Sequence, residues 1–330
     1  MKSTAATEML AAMLAAWLLG MTLPLAAGST EDAGDWLERM SAAMSQMSYQ
    51  GTFVYVQGEE VETMRITHVS DEAGVRERLV SVSGVQREIL RDSNGVRWVQ
   101  GDDHSVMEDP ASGRSFFPEI PLQPSDTNNV SYRFELGKSE RIAGHNGRKV
   151  KIIPRDKFRY GYTLWLEEKS ALLLKWELLD DEQRRLAKLM FTDLRLGSEV
   201  DLKELKSSSQ LQQFKVLESG LPSGGRLSHS NPKWQPSELP PGFRLTAHRY
   251  LGKQDQEIYE HLVYSDGLAA VSVYVESNRG GQQEQEIGIS RMGTTHAFSR
   301  LAGEVLITVV GDVPAVTVQS IGETVELRSP

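Results

Sequence analysis

The spacing of apolar residues changes its period near residue 48, and that change predicts the first two elements. Trp36, Met40, Met44 and Met47 recur at intervals of four and three, the stripe of an amphipathic helix that begins at Asp35, an acid able to cap it. The stripe reads as a core-facing surface; an adaptable methionine-rich ligand face is the alternative. From Tyr49 the period is 2, with Tyr49, Gly51, Phe53 and Tyr55 on one face of a strand and Gln50, Thr52, Val54 and Val56 on the other. Similar runs follow at 63–69, 76–82, 85–90 and 96–100, punctuated by Gly58, Gly84 and the hairpin pair Asn94-Gly95.

Residues 109–124 carry four prolines and the pair Phe116-Phe117, which reads as a long loop crossing the sheet. Strand patterns resume at 132–136, 148–153, 162–167, 172–179 and 186–194, giving about ten antiparallel strands, and a sheet of that width has to curl into a concave face. Five prolines and four glycines between Gly220 and Gly242 have linker composition. Further strands are expected at 243–250, 258–264, 269–276, 296–301 and 305–310, with a turn at Asp266-Gly267. Asp312 and Pro314 are placed to cap and start a final helix to about Gly322. The pattern predicts a mainly β, α+β chain with a large unit over 28–219, a linker over 220–242 and a smaller α+β unit over 243–330.

The first residues alter this picture. Lys2, an apolar run over 10–20, Pro24 and the small residues Ala26, Ala27 and Gly28 have the layout of a secretory signal over 1–27, cleaved near Ala27. A retained anchor is the rival reading. The absence of cysteine removes disulfides, thiol catalysis and a lipid-acceptor residue, so the exported protein is not expected to be a lipoprotein. A formal charge of −9 argues against nucleic acid as the main partner.

No phosphate-binding glycine loop, nucleophile elbow or paired-histidine metal motif is present, the seven histidines are scattered, and neither an enzyme nor a metal or cofactor is expected. The acids at 59–62 and 180–182 fall at predicted turns, where solvated charge is the ordinary reading. One segment departs from the acidic background. Between Arg141 and Tyr160, seven cations stand against Asp156 alone, and Arg148, Lys151, Arg155, Lys157 and Arg159 form a candidate anion-binding patch for phosphorylated lipid headgroups or an acidic peptide. The plain alternative is a strand face turned to water. Phe53, Tyr55, Trp98, Phe116, Phe117, Tyr162, Trp165 and Trp176 are candidates for an apolar pocket in the concavity, or for its core if helices fill it.

Five pieces in order, YQGTFVY over 49–55, VRERL over 75–79, RYGY over 159–162, LPPGF over 239–243 and YSDGLA over 264–269, resemble the RseB/MucB family of periplasmic regulators of the envelope-stress sigma factor. The resemblance spans nearly all of the mature chain. It implies an unclosed β-barrel around helices, like the lipoprotein carriers LolA and LppX, followed by a smaller domain. It also implies a non-enzymatic role. Such proteins bind the periplasmic part of a single-pass anti-sigma factor (RseA/MucA-like), shield it from site-1 proteolysis, and let go when lipopolysaccharide or lipoprotein acyl chains bind; homo-oligomers are compatible with this. A carrier of the LolA type is the alternative the fold suggests. The chain departs from the family pattern at Lys169 to Leu172, where a Thr-Gly turn is usual, so its local turn geometry is left open.

Overall fold

Successive hairpins build most of this molecule, because each alternating run closes on the one before it. The structure is a computed structural model and describes residues 32–84, 86–100, 105–109, 130–197, 200–206, 215–218, 226–227, 231–251, 259–277 and 287–328. The first helix, α1 (Ala33–Gln46), starts earlier than its spacing suggested. Asp32, in extended backbone, accepts a hydrogen bond from the Gly34 N–H at 3.3 Å, and Asp35 falls in the first turn. A cap of this kind is worth about 1 kcal/mol. Ala33 is buried together with Trp36, Leu37 and Met40, so the inward stripe extends a turn further back than the large residues reveal.

A meander follows: β1 (Tyr49–Gln57), β2 (Glu60–Asp71), β3 (Gly74–Ser81), β4 (Arg87–Asp92), β5 (Gly95–Gln100) and β6 (Ser105–Asp109). A second run, β7 (Tyr132–Leu136), β8 (Glu140–Ile142), β9 (His145–Pro154), β10 (Gly161–Glu167), β11 (Leu173–Leu179) and β12 (Arg185–Leu196), returns beside β1, and β13 (Lys215–Glu218) joins β6 in parallel. Among the described residues these make one 13-stranded sheet in the order β13-β6-β5-β4-β3-β2-β1-β12-β11-β10-β9-β7, with β8 on β9. Its end strands do not pair with each other, so the barrel is unclosed. Register shifts at Thr52/Phe53, Trp165/Leu166 and Leu178/Leu179 mark bulges that sharpen the twist. Beside the first, Gly51 is obligatory: a Cβ there would strike the Asp193 carbonyl and the Phe191 ring. Phe53, Leu164, Trp176 and Phe191 pack in one core with Trp36, Leu37 and Met40 of α1.

The smaller lobe contains β14 (Arg226–Leu227), β15 (Trp234–Pro236), β16 (Arg244–Leu251), β17 (Tyr259–Ser265), β18 (Ala270–Ser277), β19 (Gly288–Met292), β20 (Thr295–Ala302), β21 (Val305–Gly311), helix α2 (Ala315–Thr324) and β22 (Val325–Leu327). Seven strands form a sheet in the order β14-β16-β17-β18-β21-β20-β19, and β15 pairs with β22. Val318 and Ile321 of α2 pack on Phe298, Ile307 and Val309. Pro314 occupies the N-cap position with no side-chain bond. Asp312, expected to cap, is instead engaged by the hydroxyls of Thr294 and Thr295 at 3.1 and 2.6 Å. β14 and β15 come from the proline-rich stretch and pair with strands of the small lobe. Glu260 pins the second of them, accepting from the Lys233 and Trp234 N–H groups at 2.8 and 3.3 Å. Among the described residues, no helix is long and apolar enough to cross a membrane.

Candidate functional site

Three of the five quoted sequence pieces meet in space, where the two lobes join. The segment between β9 and β10 is bent by Asp156, whose Oδ1 accepts from the Phe158 N–H at 2.9 Å, and by Arg155, whose N–H and Nε donate to the carbonyls of Ser131 and Tyr132. This bend turns Arg159 inward, where the residue is 1% exposed. Its guanidinium donates from Nη2 to the Pro241 carbonyl at 2.6 Å and makes ion-pair contacts with Asp266 Oδ2 at 3.2 Å and Asp156 Oδ1 at 3.3 Å. The rings of Tyr132 and Phe243 flank it, with centroids 5.4 and 5.1 Å from Cζ.

Asp266 is equally well enclosed. Its Oδ1 accepts from the Leu268 and Ala269 N–H groups at 2.9 and 2.7 Å, which shapes the turn between β17 and β18, and its Oδ2 accepts the Tyr132 hydroxyl at 3.0 Å. Burial, and then the Asp266 charge, push the Tyr132 phenol far above its ordinary range. Gly242 has φ of 85°, and a Cβ there would collide with the Ser131 hydroxyl. RYGY, LPPGF and YSDGLA thus supply the cation, the carbonyl and ring, and the carboxylate of one buried latch.

A second set of contacts lies at the far end of β1. Gln57 Nε2 donates to Thr294 Oγ1 at 3.0 Å, and Gly293, at φ 62°, leaves room for the Gln57 amide, which a Cβ would approach to 2.7 Å. The Tyr160 hydroxyl reaches the Thr294 carbonyl at 3.4 Å and His296 Nδ1 at 3.3 Å, and Thr317 Oγ1 donates to the Phe158 carbonyl at 2.7 Å. Leu268 packs against the core of the large lobe. The junction is therefore polar, specific and largely enclosed, a geometry that sets one lobe against the other.

The residues expected to form a pocket do not all share a face. Register places Leu164 opposite Trp176, and Trp165 opposite Lys175 and Lys149, so the two tryptophans lie on opposite sides of the sheet. Lys175 and Lys149 hold the Trp165 ring between them, 3.7 and 5.0 Å from its centroid. Phe53 lies edge-on to Phe191 at 5.7 Å and Tyr55 is tilted on Trp176 at 6.1 Å, within the core that α1 covers. Tyr162 packs there too, half-buried, with its phenol raised by burial. Trp98 pairs in β5 with Ile89 and Met107, its side chain outside the described residues, as are Phe116 and Phe117.

The expected cationic patch divides as well. Lys151, Arg155 and Lys157 are exposed and Arg148 is half-buried. Arg159, expected among them at the surface, is interior, because a carboxylate from the other lobe is close enough to hold its charge away from water. Asp266 and Tyr132 were missed as functional residues: an Asp-Gly pair in sequence reads as turn chemistry alone. Among the described residues, no three His, Asp or Glu side chains gather as a metal site.

Comparison with known proteins adds a second line. The family models "MucB/RseB N-terminal domain" and "MucB/RseB C-terminal domain" match residues 32–209 and 228–326. The sigma factor AlgU regulatory protein MucB of Pseudomonas aeruginosa is 30% identical over 310 residues, 92% of this chain and 94% of the relative. The sigma-E factor regulatory protein RseB of Escherichia coli is 24% identical over 305 residues, 91% and 92% of the two chains. A crystal structure of MucB in complex with MucA(peri) superposes with a TM-score of 0.69 at 28% identity, over 91% of this chain and all of that one. A crystal structure of MucB gives 0.61 at the same identity, over 90% and 98%.

Proposed function

The chain belongs to the MucB/RseB family, and from that premise we propose that it is a periplasmic negative regulator of an envelope-stress sigma factor. In this reading it binds the periplasmic segment of a single-pass anti-sigma factor and keeps that segment from the site-1 protease. The observation that carries the reading is the likeness to MucB in its complex with MucA(peri), which runs over both lobes rather than one. A partner held across both lobes would depend on their relative placement, which the Arg159–Asp266 latch sets.

In the same reading, release acts at this junction. Arg155 and Lys157 are exposed on the bend that aims Arg159 inward, so a phosphorylated amphiphile gripping them would pull on the latch from outside. Acyl chains entering the sheet face near Tyr55 and Tyr162 would have to displace α1. A ligand acts this way if it favours a lobe arrangement with weaker partner affinity.

The test is a protection assay with the purified mature protein, the cognate anti-sigma periplasmic segment and its site-1 protease. Cleavage is expected to slow with the protein present and to recover when lipopolysaccharide is added. Unchanged cleavage overturns the reading. Replacing Lys157 by Ser is expected to raise the lipopolysaccharide needed for half-recovery several-fold while protection itself persists.

A further inference from the structure

Asn-Gly, the dipeptide in which an asparagine side chain reacts most readily with its own backbone, occurs twice in the chain, at 94–95 and 146–147. Glycine has no Cβ to keep its nitrogen away from the asparagine Cγ, so local conformation decides whether the two atoms meet. The structure gives the two pairs opposite settings.

Asn94 is exposed at the tip of the β4–β5 hairpin, with Asp92 and Ser93 exposed beside it. Asp92 Oδ1 accepts the Asn94 N–H at 2.7 Å, an Asx turn, and Gly95 has φ of 124°, a backbone that other residues rarely adopt. The turn therefore requires the very glycine that leaves Asn94 open to attack. Gly95 pairs across the hairpin with Asp92, and β5 meets β6 only from Val96 onward. Asn146, by contrast, lies inside a ladder. It pairs with Arg141, and its carbonyl accepts the Glu168 N–H at 3.0 Å. Gly147 is buried and paired on both sides, with Glu140 of β8 and Glu167 of β10. The Leu174 and Trp165 side chains come within 3.1 and 3.3 Å of where its Cβ would stand. The Gly147 nitrogen cannot swing toward the Asn146 side chain without breaking that pairing.

We propose that Asn94 is a self-modification site, where the Gly95 nitrogen and solvent water turn asparagine into isoaspartate and loosen the β4–β5 hairpin, while Asn146 is preserved. The Gly95 nitrogen attacks Asn94 Cγ. The new N–Cγ bond closes a succinimide as the Cγ–Nδ2 bond breaks, and ammonia leaves with the proton that the nitrogen gives up. Water then opens the ring: at the main-chain carbonyl it gives isoaspartate, with an extra methylene in the backbone, and at Cγ it gives aspartate. Nothing is oxidised or reduced. Either product sets a new carboxylate beside Asp92, and isoaspartate also lengthens the turn. β5 carries the buried Val96 and Val99 and passes the ladder on to β6, so loosening at the tip reaches the end of the large sheet.

The test holds the full mature chain in mildly alkaline buffer, folded or unfolded in guanidinium, and follows both peptides by mass spectrometry, with isoaspartate read by enzymatic methylation. In the folded chain Asn94 is expected to convert at least about tenfold faster than Asn146, and in guanidinium the two rates are expected to converge. Equal rates in the folded chain overturn the proposal, as does an Asn94 that stays intact while the unfolded chain converts. Amide exchange in β5 is expected to quicken in the aged parent and to stay unchanged in Asn94→Gln, whose longer side chain closes a ring far more slowly. Ageing that quickens β5 equally in both chains, or in neither, overturns the loosening.

Discussion

Arg159 is buried among two aromatic rings, two carboxylates and a carbonyl; Nη2 hydrogen-bonds the carbonyl, while Nε and Nη1 are held by the charge of the carboxylates rather than by hydrogen bonds, so the group depends on both acids staying in place. Removing one partner of a buried pair leaves the other uncompensated, at about 3–5 kcal/mol, whereas removing both is much milder. Asp266→Asn and Arg159→Met are each expected to lower stability to urea by about that amount, and the double variant by less than their sum. Equal and additive losses would indicate that the pair is not coupled. Positive φ marks a smaller lever. Gln183 is exposed at φ 62° and Ala171 buried at φ 61°. Gly relieves about 1–2 kcal/mol of strain at such a position but costs about 0.5–1 kcal/mol in chain entropy. Gln183→Gly is therefore expected to raise stability by about 0.5–1 kcal/mol in urea titrations. Ala171→Gly, which also removes a buried methyl, is expected to be near neutral. The sequence contains Arg159 and Asp266 in plain view, yet their pairing is invisible there, because a strand-end cation and a turn acid both look solvated until tertiary structure brings them together.

At the scale of elements, alternation in the sequence reads well wherever one face is buried. The run at 132–136 coincides with β7, and the aromatic face of β1 faces the core as its spacing implies. β8 and β19 escape the pattern for physical reasons: one has three residues, and the other is exposed along most of its length, so neither has a buried face to write an alternation. The opposed tryptophans escape for another reason, since the turn between β10 and β11 sets the register that separates them. Glu167 organises that turn. Its Oε2 accepts from the Lys169 and Ser170 N–H groups at 3.0 and 2.7 Å and from the Ser170 hydroxyl at 2.8 Å. Burial pushes the carboxyl up, but the hydrogen bonds from Ser170 and Lys169 together outweigh it and hold the group below its ordinary value of 4.5. A lowered folded value means the unfolded chain binds the proton more readily, so this stabilisation is complete above pH 4.5 and disappears as pH falls through the folded value. Glu167→Gln is expected to lose about 1–3 kcal/mol at neutral pH and to flatten the acid limb of the stability profile, read by urea titration from pH 7 to 3.

For the whole molecule, the question is whether two lobes behave as two domains or as one cooperative body. Their cores are separate, yet Leu268 of the small lobe packs into the core of the large one. Around it, Asp266, Pro241, Thr294 and Thr317 each bond a large-lobe group. β14 and β15 pair within the small lobe, so the described part of the proline-rich stretch is tied down rather than spanning a gap. Inter-domain contacts that are enclosed and complementary couple unfolding, whereas loose ones leave it independent. The parent chain is accordingly expected to unfold in a single calorimetric transition. Asp266→Ala removes the carboxylate shared by Arg159, Tyr132 and the β17–β18 turn, and is expected to split the transition, with the small lobe melting first because it has the smaller core. The same variant bears on regulation. If partner affinity depends on lobe placement, freeing the junction also weakens the anti-sigma segment, and lipopolysaccharide then adds little further release, since the state it would favour is already populated. A split transition with unchanged partner affinity would separate the latch from binding, leaving it a device of stability alone.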